Sequence, residues 1–107
     1  MRVWYRVRDL AAARAFYTGK LGFTETFLDE EGGWANLERA GMQIALAEGE
    51  PEDAGVATID VDDAKAEAER LRAESVEVGT VLELHNEIRL LDVFDPDGNR
   101  LQLVEQL

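Results

Sequence analysis

The 107-residue chain has no cysteine, one histidine, two prolines and only 11 basic residues against 23 acidic ones. Each shortage removes a class of protein. Without cysteine there are no disulfides, thiolate zinc sites, iron–sulfur clusters or catalytic thiols, and the composition suits a reducing compartment. With His85 as the lone imidazole, a facial site of two histidines and a carboxylate cannot be built from one chain. A formal charge of −12 repels phosphate backbones and anionic bilayers, so neither nucleic acid nor membrane is expected as a partner. A cationic small molecule would be drawn in, although an acidic surface also serves solubility alone. Two prolines and nine glycines exclude a low-complexity or collagen-like polymer. No apolar run approaches the ~18 residues of a membrane span, and Met1 leads into an alternating segment, not a leader, so a soluble cytoplasmic protein is expected.

What is present is one domain, 1–107, with 46% hydrophobic residues and enough length to bury a core without staples. Met1 to Arg8 alternates, with Val3, Tyr5 and Val7 on one side and Arg2, Trp4 and Arg6 on the other, which predicts a strand. Asp9 caps a helix carrying Leu10, Ala13, Phe16, Tyr17 and Leu21 at helical spacing, and Gly22 stops it. Strands are predicted over 23–29, 34–39 and 42–48, the last two joined across Ala40-Gly41. An acidic connector from Glu48 to Gly55 follows.

The pattern then restarts. A strand at 56–61 leads to a helix capped by Asp62 or Asp63, with Ala64, Ala68 and Leu71 inward. Further strands are predicted over 76–81, 88–94 and 101–105, with Asp95-Pro96-Asp97-Gly98-Asn99 as a tight turn. Val7-Arg8-Asp9 matches Val61-Asp62-Asp63, and the octet Gly41 to Glu48 matches Gly98 to Glu105, at offsets of 54 and 57 residues. Two matches in the same element order indicate internal duplication. The expected fold is α+β, two βαβββ modules at about 1–48 and 55–107.

Val7-Arg8-Asp9-Leu10, Ala15-Phe16-Tyr17 and Leu21-Gly22-Phe23, with Phe94 to Glu105 at the other end, resemble the glyoxalase/bleomycin-resistance/extradiol-dioxygenase (vicinal-oxygen-chelate) superfamily. The resemblance implies curled mixed sheets around a shared concave cleft, helices outside, a small-molecule ligand and a homodimer. Metal-dependent members place ligands early in the first strand and within the last strand of each module. Here those places read Arg2, Val56, Ala45 and Gln102, of which only Gln102 could donate to a metal, and weakly. No metal and no other cofactor is therefore expected.

Strand alternation puts Val3, Tyr5, Val7, Ile44, Leu46, Ile59, Val61, Leu101 and Leu103 toward the helices. Facing the cleft are Arg2, Trp4, Arg6, Gln43, Ala45, Ala47, Val56, Thr58, Asp60, Arg100, Gln102 and Val104, joined by Asp92 and Phe94. Apolar walls with a few polar anchors suit a small ligand. Trp4 could stack on a planar ligand or pack in a dimer. Arg2 and Arg6 could bind an anion or pair with Asp60 or Asp92, and those carboxylates could be general bases or mere ion-pair partners. Gln102 reads as a neutral relic of a ligand position. If 83–87 is extended, Glu83, His85 and Glu87 share one face, either solvated or rimming the cleft. The leading expectation is a metal-free small-molecule-binding protein of the antibiotic-sequestering type. The alternative is a glyoxalase-type lyase or isomerase, or a dioxygenase relative, acting on a small oxygenated metabolite.

Overall fold

Each half starts with an alternating strand that feeds directly into a capped helix. The computed structural model describes residues 2–107, so Met1 of the expected first strand lies outside the described residues. The elements are β1 (Arg2–Val7), α1 (Leu10–Gly19), β2 (Thr24–Asp29), β3 (Trp34–Arg39), β4 (Met42–Glu48), β5 (Ala57–Asp60), α2 (Ala64–Ala73), β6 (Leu82–Leu84), β7 (Ile88–Phe94) and β8 (Arg100–Gln106). They form two four-stranded mixed sheets, ordered β1-β4-β3-β2 and β5-β8-β7-β6. In each, the first strand runs parallel to the last.

The duplication is visible at hydrogen-bond level. Asp9 and Asp63 are the N-caps, accepting from the backbone N–H of Ala12 and Ala66 at 3.0 Å. Glu48 and Glu105, which end the two matching octets, reach the same helices, accepting from Leu10 N at 3.0 Å and Ala64 N at 2.9 Å. A carboxylate at a helix N-terminus satisfies a free N–H and opposes the helix dipole. The glutamate at the end of each octet thus ties strand to helix. Val3 pairs with Ile44 and Ala57 with Leu101, so the parallel registers of the two modules coincide at the offsets read from the sequence.

One core spans both modules, from Tyr5, Val7 and Tyr17 to Ile59, Leu71 and Leu101. The residues expected to face the helices are buried, except that Val3 and Val61 are only partly so. The inward face of α2 is Ala64, Ala68 and Leu71, as its spacing required.

One expected strand is corrected. Residues 76–81 do not form a strand; they meet β7 through a single bridge, Val78 to Val93. The paired segment is Leu82–Leu84, just beyond the expected strand. Val78–Val93 and Leu82–Leu90 differ in register by one residue, so an extra residue interrupts the ladder. The corresponding outer strand β2 also slips by one residue, between Glu25 and Phe27. His85 is not on an extended face with Glu83 and Glu87. It lies with Asn86 at φ near +54° and +55° in the turn between β6 and β7, closed by Glu87 N donating to Leu84 O.

The modules are joined by buried polar contacts. Asp95, 4% exposed, accepts from the Tyr17 hydroxyl at 2.7 Å, Asn99 Nδ2 at 2.9 Å, and the backbone N–H of Asp97 and Asn99 at 2.9 and 2.8 Å. Asn99 also donates to Arg6 O on β1. The Tyr5 hydroxyl donates to Arg100 O and accepts from Ala57 N. Burial raises the pKa of Tyr5 and raises that of Tyr17 well above the ordinary phenol range, the nearby Asp95 charge adding to both.

Tyr17→Phe removes one charge-assisted donor from a buried carboxylate, so it should cost about 1–3 kcal/mol in urea unfolding at neutral pH. A raised folded-state pKa contributes stability that is complete below the unfolded phenol value and is lost as pH rises through the folded value. The gap between wild type and Tyr17→Phe should therefore narrow in alkali. An unchanged unfolding midpoint at neutral pH would contradict this account of the junction.

Candidate functional site

The sheet faces turned away from the helices are built by period-two alternation along paired strands. On the first module, the registers align Trp4, Ala45, Asn36 and Phe27 in one line across β1, β4, β3 and β2. The next line is Arg6, Ala47, Trp34 and Asp29, and the one before it contains Arg2, Gln43 and Glu38. The small side chains of Ala45 and Ala47 leave room for large neighbours. Trp34 fills it, with ring centroids 5.3 Å from Trp4 and 4.9 Å from Phe27, both tilted by about 40°. Arg2 places its guanidinium 5.9 Å from the Trp4 ring and 6.0 Å from the Trp34 ring.

These are tilted aromatic pairs under a cation, on an open face. Trp4 is 50% and Phe27 49% exposed. An aromatic cluster this exposed makes the face a candidate binding surface. Sequence alternation found Arg2, Trp4, Arg6 and Gln43 but missed Trp34, Phe27 and Asn36. The usable signal was the hairpin itself: once 34–39 pairs across Ala40-Gly41 with 42–48, Trp34 and Asn36 must share the face of Ala47 and Ala45.

On the second module the face is different. Thr58 lies beside Gln102, which lies beside Asp92. Gln102 Nε2 donates to Asp92 Oδ1 at 3.2 Å, and Arg100 pairs with Asp92 at 3.5 Å. The expected pairings of Arg2 and Arg6 with Asp60 or Asp92 are not formed. Arg6 pairs with Glu52 of the connector, and Arg2 makes no ion pair among the described residues. No side-chain hydrogen bond or ion pair joins Arg2, Trp4 or Arg6 to Asp92, Arg100 or Gln102 among the described residues. Asp60 opens instead into a cleft of about 340 Å³ at the start of α2, with Arg39 and Glu67. Phe94 borders one of about 520 Å³ with Phe16 and Lys20. His85 is exposed at its hairpin tip.

The four places where the resemblance puts metal ligands carry Arg2, Val56, Ala45 and Gln102. Alanine and valine offer no donor, Arg2 brings a positive charge, and Gln102, whose amide nitrogen donates to Asp92, supplies at most one neutral carbonyl oxygen. Among the described residues no three His, Cys, Asp or Glu side chains converge as a metal would require. The residues present do not fit the metal.

The glyoxalase/bleomycin resistance protein/dioxygenase superfamily model matches residues 2–103. The chain belongs to that superfamily. The fold agrees with solved structures that are similar to it. An integron cassette protein from the mobile metagenome of the Halifax Harbour sewage outfall has a TM-score of 0.84 at 22% identity, covering 98% of this chain and 96% of that one. The antibiotic-binding protein TnmS3 from Streptomyces sp. CB03234 has 0.81 at 22%, covering 99% and 93%. Lactoylglutathione lyase from Agrobacterium tumefaciens has 0.77 at 20%, covering 98% and 91%. No curated protein matches the sequence. Among the described residues no helix is long and apolar enough to cross a membrane.

This superfamily member should show no change in melting temperature on treatment with EDTA or on addition of equimolar Zn²⁺, Ni²⁺ or Mn²⁺. A structural metal contributes to folding, so a fall on chelation would reveal a site assembled from other residues.

Proposed function

We propose that this protein binds a small molecule without a metal, sequestering a planar, antibiotic-like compound on the aromatic face of its first module. The single observation that carries this reading is the cluster of Trp4, Trp34 and Phe27 beneath the Arg2 guanidinium, left open to solvent. A flat ring laid on these side chains buries apolar area on both partners, and the tilted rings favour edge-to-face contact. Arg2 adds a cation above the rings, suited to a carbonyl or carboxylate on the ligand. The wider charge of −12 favours positive groups elsewhere on the same molecule. Thr58, Asp92, Phe94, Arg100 and Gln102 form a second, more polar surface for such a molecule. The superfamily relative TnmS3 is an antibiotic-binding protein, which agrees with this reading.

The chain's two tryptophans both lie in the cluster, so intrinsic fluorescence reports on this face alone. In a screen of planar antibiotics and aromatic metabolites, binding should quench that emission and raise the melting temperature. Trp4→Ala should weaken a compound found in this way by roughly 1–3 kcal/mol. A ligand that stabilises the protein without changing tryptophan emission would place the site elsewhere.

The active form proposed here is a homodimer. Both outer edge strands carry exposed apolar side chains, Phe27 on β2 and Leu82 and Leu84 on β6. Open edges with apolar groups invite pairing unless something covers them. Light scattering at micromolar concentration should give twice the chain mass of 11.9 kDa, and a monomer mass would refute it.

A further inference from the structure

Beneath the aromatic cluster lies a polar atom without a partner. Asn36 is 7% exposed although it sits on the open face of its sheet. Its Nδ2 donates to Thr26 Oγ1 at 2.7 Å and reaches Gln43 Oε1 at 3.5 Å. Its Oδ1 is closed to solvent and accepts no hydrogen bond among the described residues. Rotating the amide by half a turn exchanges the atoms and leaves the nitrogen orphaned instead. A buried polar group without a partner costs about 1–3 kcal/mol, and native proteins hold few of them.

The surroundings show what covers it. Ala45, next to Asn36 on the same line, is fully buried, while Trp4 and Phe27 at the ends of that line are half exposed. The rings therefore roof over Ala45 and Asn36. The equivalent position in the second module is Asp92, which faces Gln102 as Asn36 faces Ala45. There the polar side chain is satisfied, by Gln102 and Arg100. The first module has alanine at the neighbouring position where the second has glutamine, so it lacks that donor.

We propose that Asn36 is the specificity-determining residue of this face. It selects flat aromatic ligands that carry an N–H or O–H donor on the ring edge and present it to Oδ1 when they enter between the rings. The proposal rests on the reading of the aromatic face as the ligand site. A ligand lacking the donor displaces the roof but leaves Oδ1 unsatisfied, so it gains stacking without the hydrogen bond. An acceptor group flanking the donor suits the Arg2 guanidinium at the edge of the same cluster. Cyclic imides, lactams and phenols with an adjacent carbonyl have this chemistry.

The test uses phthalimide and N-methylphthalimide, two flat probes that differ in one donor, titrated against tryptophan emission of the full chain. Wild type should bind phthalimide at least ten-fold more tightly, and Asn36→Leu should erase that preference while still binding both. Asn36→Ala, which cannot overpack, should erase it equally. The leucine variant should also unfold at the same or a higher urea concentration, because Thr26 is exposed and can turn to water. Equal affinity of wild type for the two probes overturns the role of Asn36 and leaves the aromatic face standing. Binding of neither probe overturns the face as a site for flat ligands, and this inference with it. A preference that survives in both variants assigns the donor to another acceptor and refutes the proposal.

Discussion

The structure depends on a carboxylate placed where two half-domains meet. Asp95 is buried and carries donors from two parts of the chain: Tyr17 on α1, and its own turn through the Asn99 side chain and two backbone N–H groups. Asn99 continues the link to β1 through Arg6 O. A buried charge is tolerated only when paired or fully hydrogen-bonded, and removing one partner costs more than the bond was worth. The turn therefore does two jobs. It reverses the chain between β7 and β8, and it fastens that hairpin to the helix and strand of the other module. The opposite seam is built the same way with the charges exchanged. Arg39, at the end of β3, donates to Leu21 O at 2.8 Å and to Glu67 of α2 at 2.7 Å. Burial opposes ionisation of Glu67, but hydrogen bonds from Arg70 and Arg39 outweigh it and hold its pKa below the usual carboxylate value. Each module's central hairpin thus reaches the helix of the other, as a duplicated chain with approximate two-fold symmetry requires.

Duplication preserved the frame and released the faces. The caps Asp9 and Asp63, the tethers Glu48 and Glu105 and the parallel registers are shared. On the faces away from the helices, paired positions have diverged. Trp4 corresponds to Thr58, Arg6 to Asp60, Ala45 to Gln102, Asn36 to Asp92 and Trp34 to Leu90. Nothing in the core constrains these side chains, so they are free to differ. The first face becomes aromatic and cationic, and the second becomes polar beside an apolar edge. The proposed function rests on this difference, not on the fold itself.

The frame was legible because its determinants are local. Alternation gives strand faces, an aspartate before an apolar-periodic run gives a cap, and a Pro-Asp-Gly turn gives a hairpin. The match of two octets makes the duplication visible in the sequence itself. The site was legible only in part, because its composition depends on which strands are neighbours. Arg2, Trp4 and Arg6 could be read from one strand, but Phe27 reaches the face only after the one-residue slip at Thr26. The burial of Asn36 needs rings from other strands to cover it. The strand expected over 76–81 is replaced by a single bridge at Val78 and a short strand at Leu82–Leu84, because a register slip breaks the pairing with β7 into two short pieces. Neither Asp60 nor Asp92 takes Arg6, because an exposed guanidinium pairs with whichever acid lies within reach, here Glu52 of the connector.

The charge distribution gives the first face its character. Eleven cations share the surface with 23 acids, so most arginines find carboxylates: Arg6, Arg8, Arg14, Arg39, Arg70, Arg89 and Arg100 all do. Among the described residues Arg72 and Arg2 do not: Arg72 donates to Gly79 O, and Arg2 lies against two indole rings, an arrangement worth about 0.5–1 kcal/mol at an exposed site. A guanidinium held on rings keeps its outward donors free, whereas one locked to a carboxylate does not. In a molecule with acid to spare, that leaves a cation, flat apolar surface and an unsatisfied acceptor within one small area. On the proposed function, long-range attraction favours a ligand with positive groups, while the aromatic face favours a ring bearing its own acceptor and donor. The two demands are met together only by a molecule with separate cationic and planar parts, which is a narrower class than either the net charge or the aromatic rings would select alone.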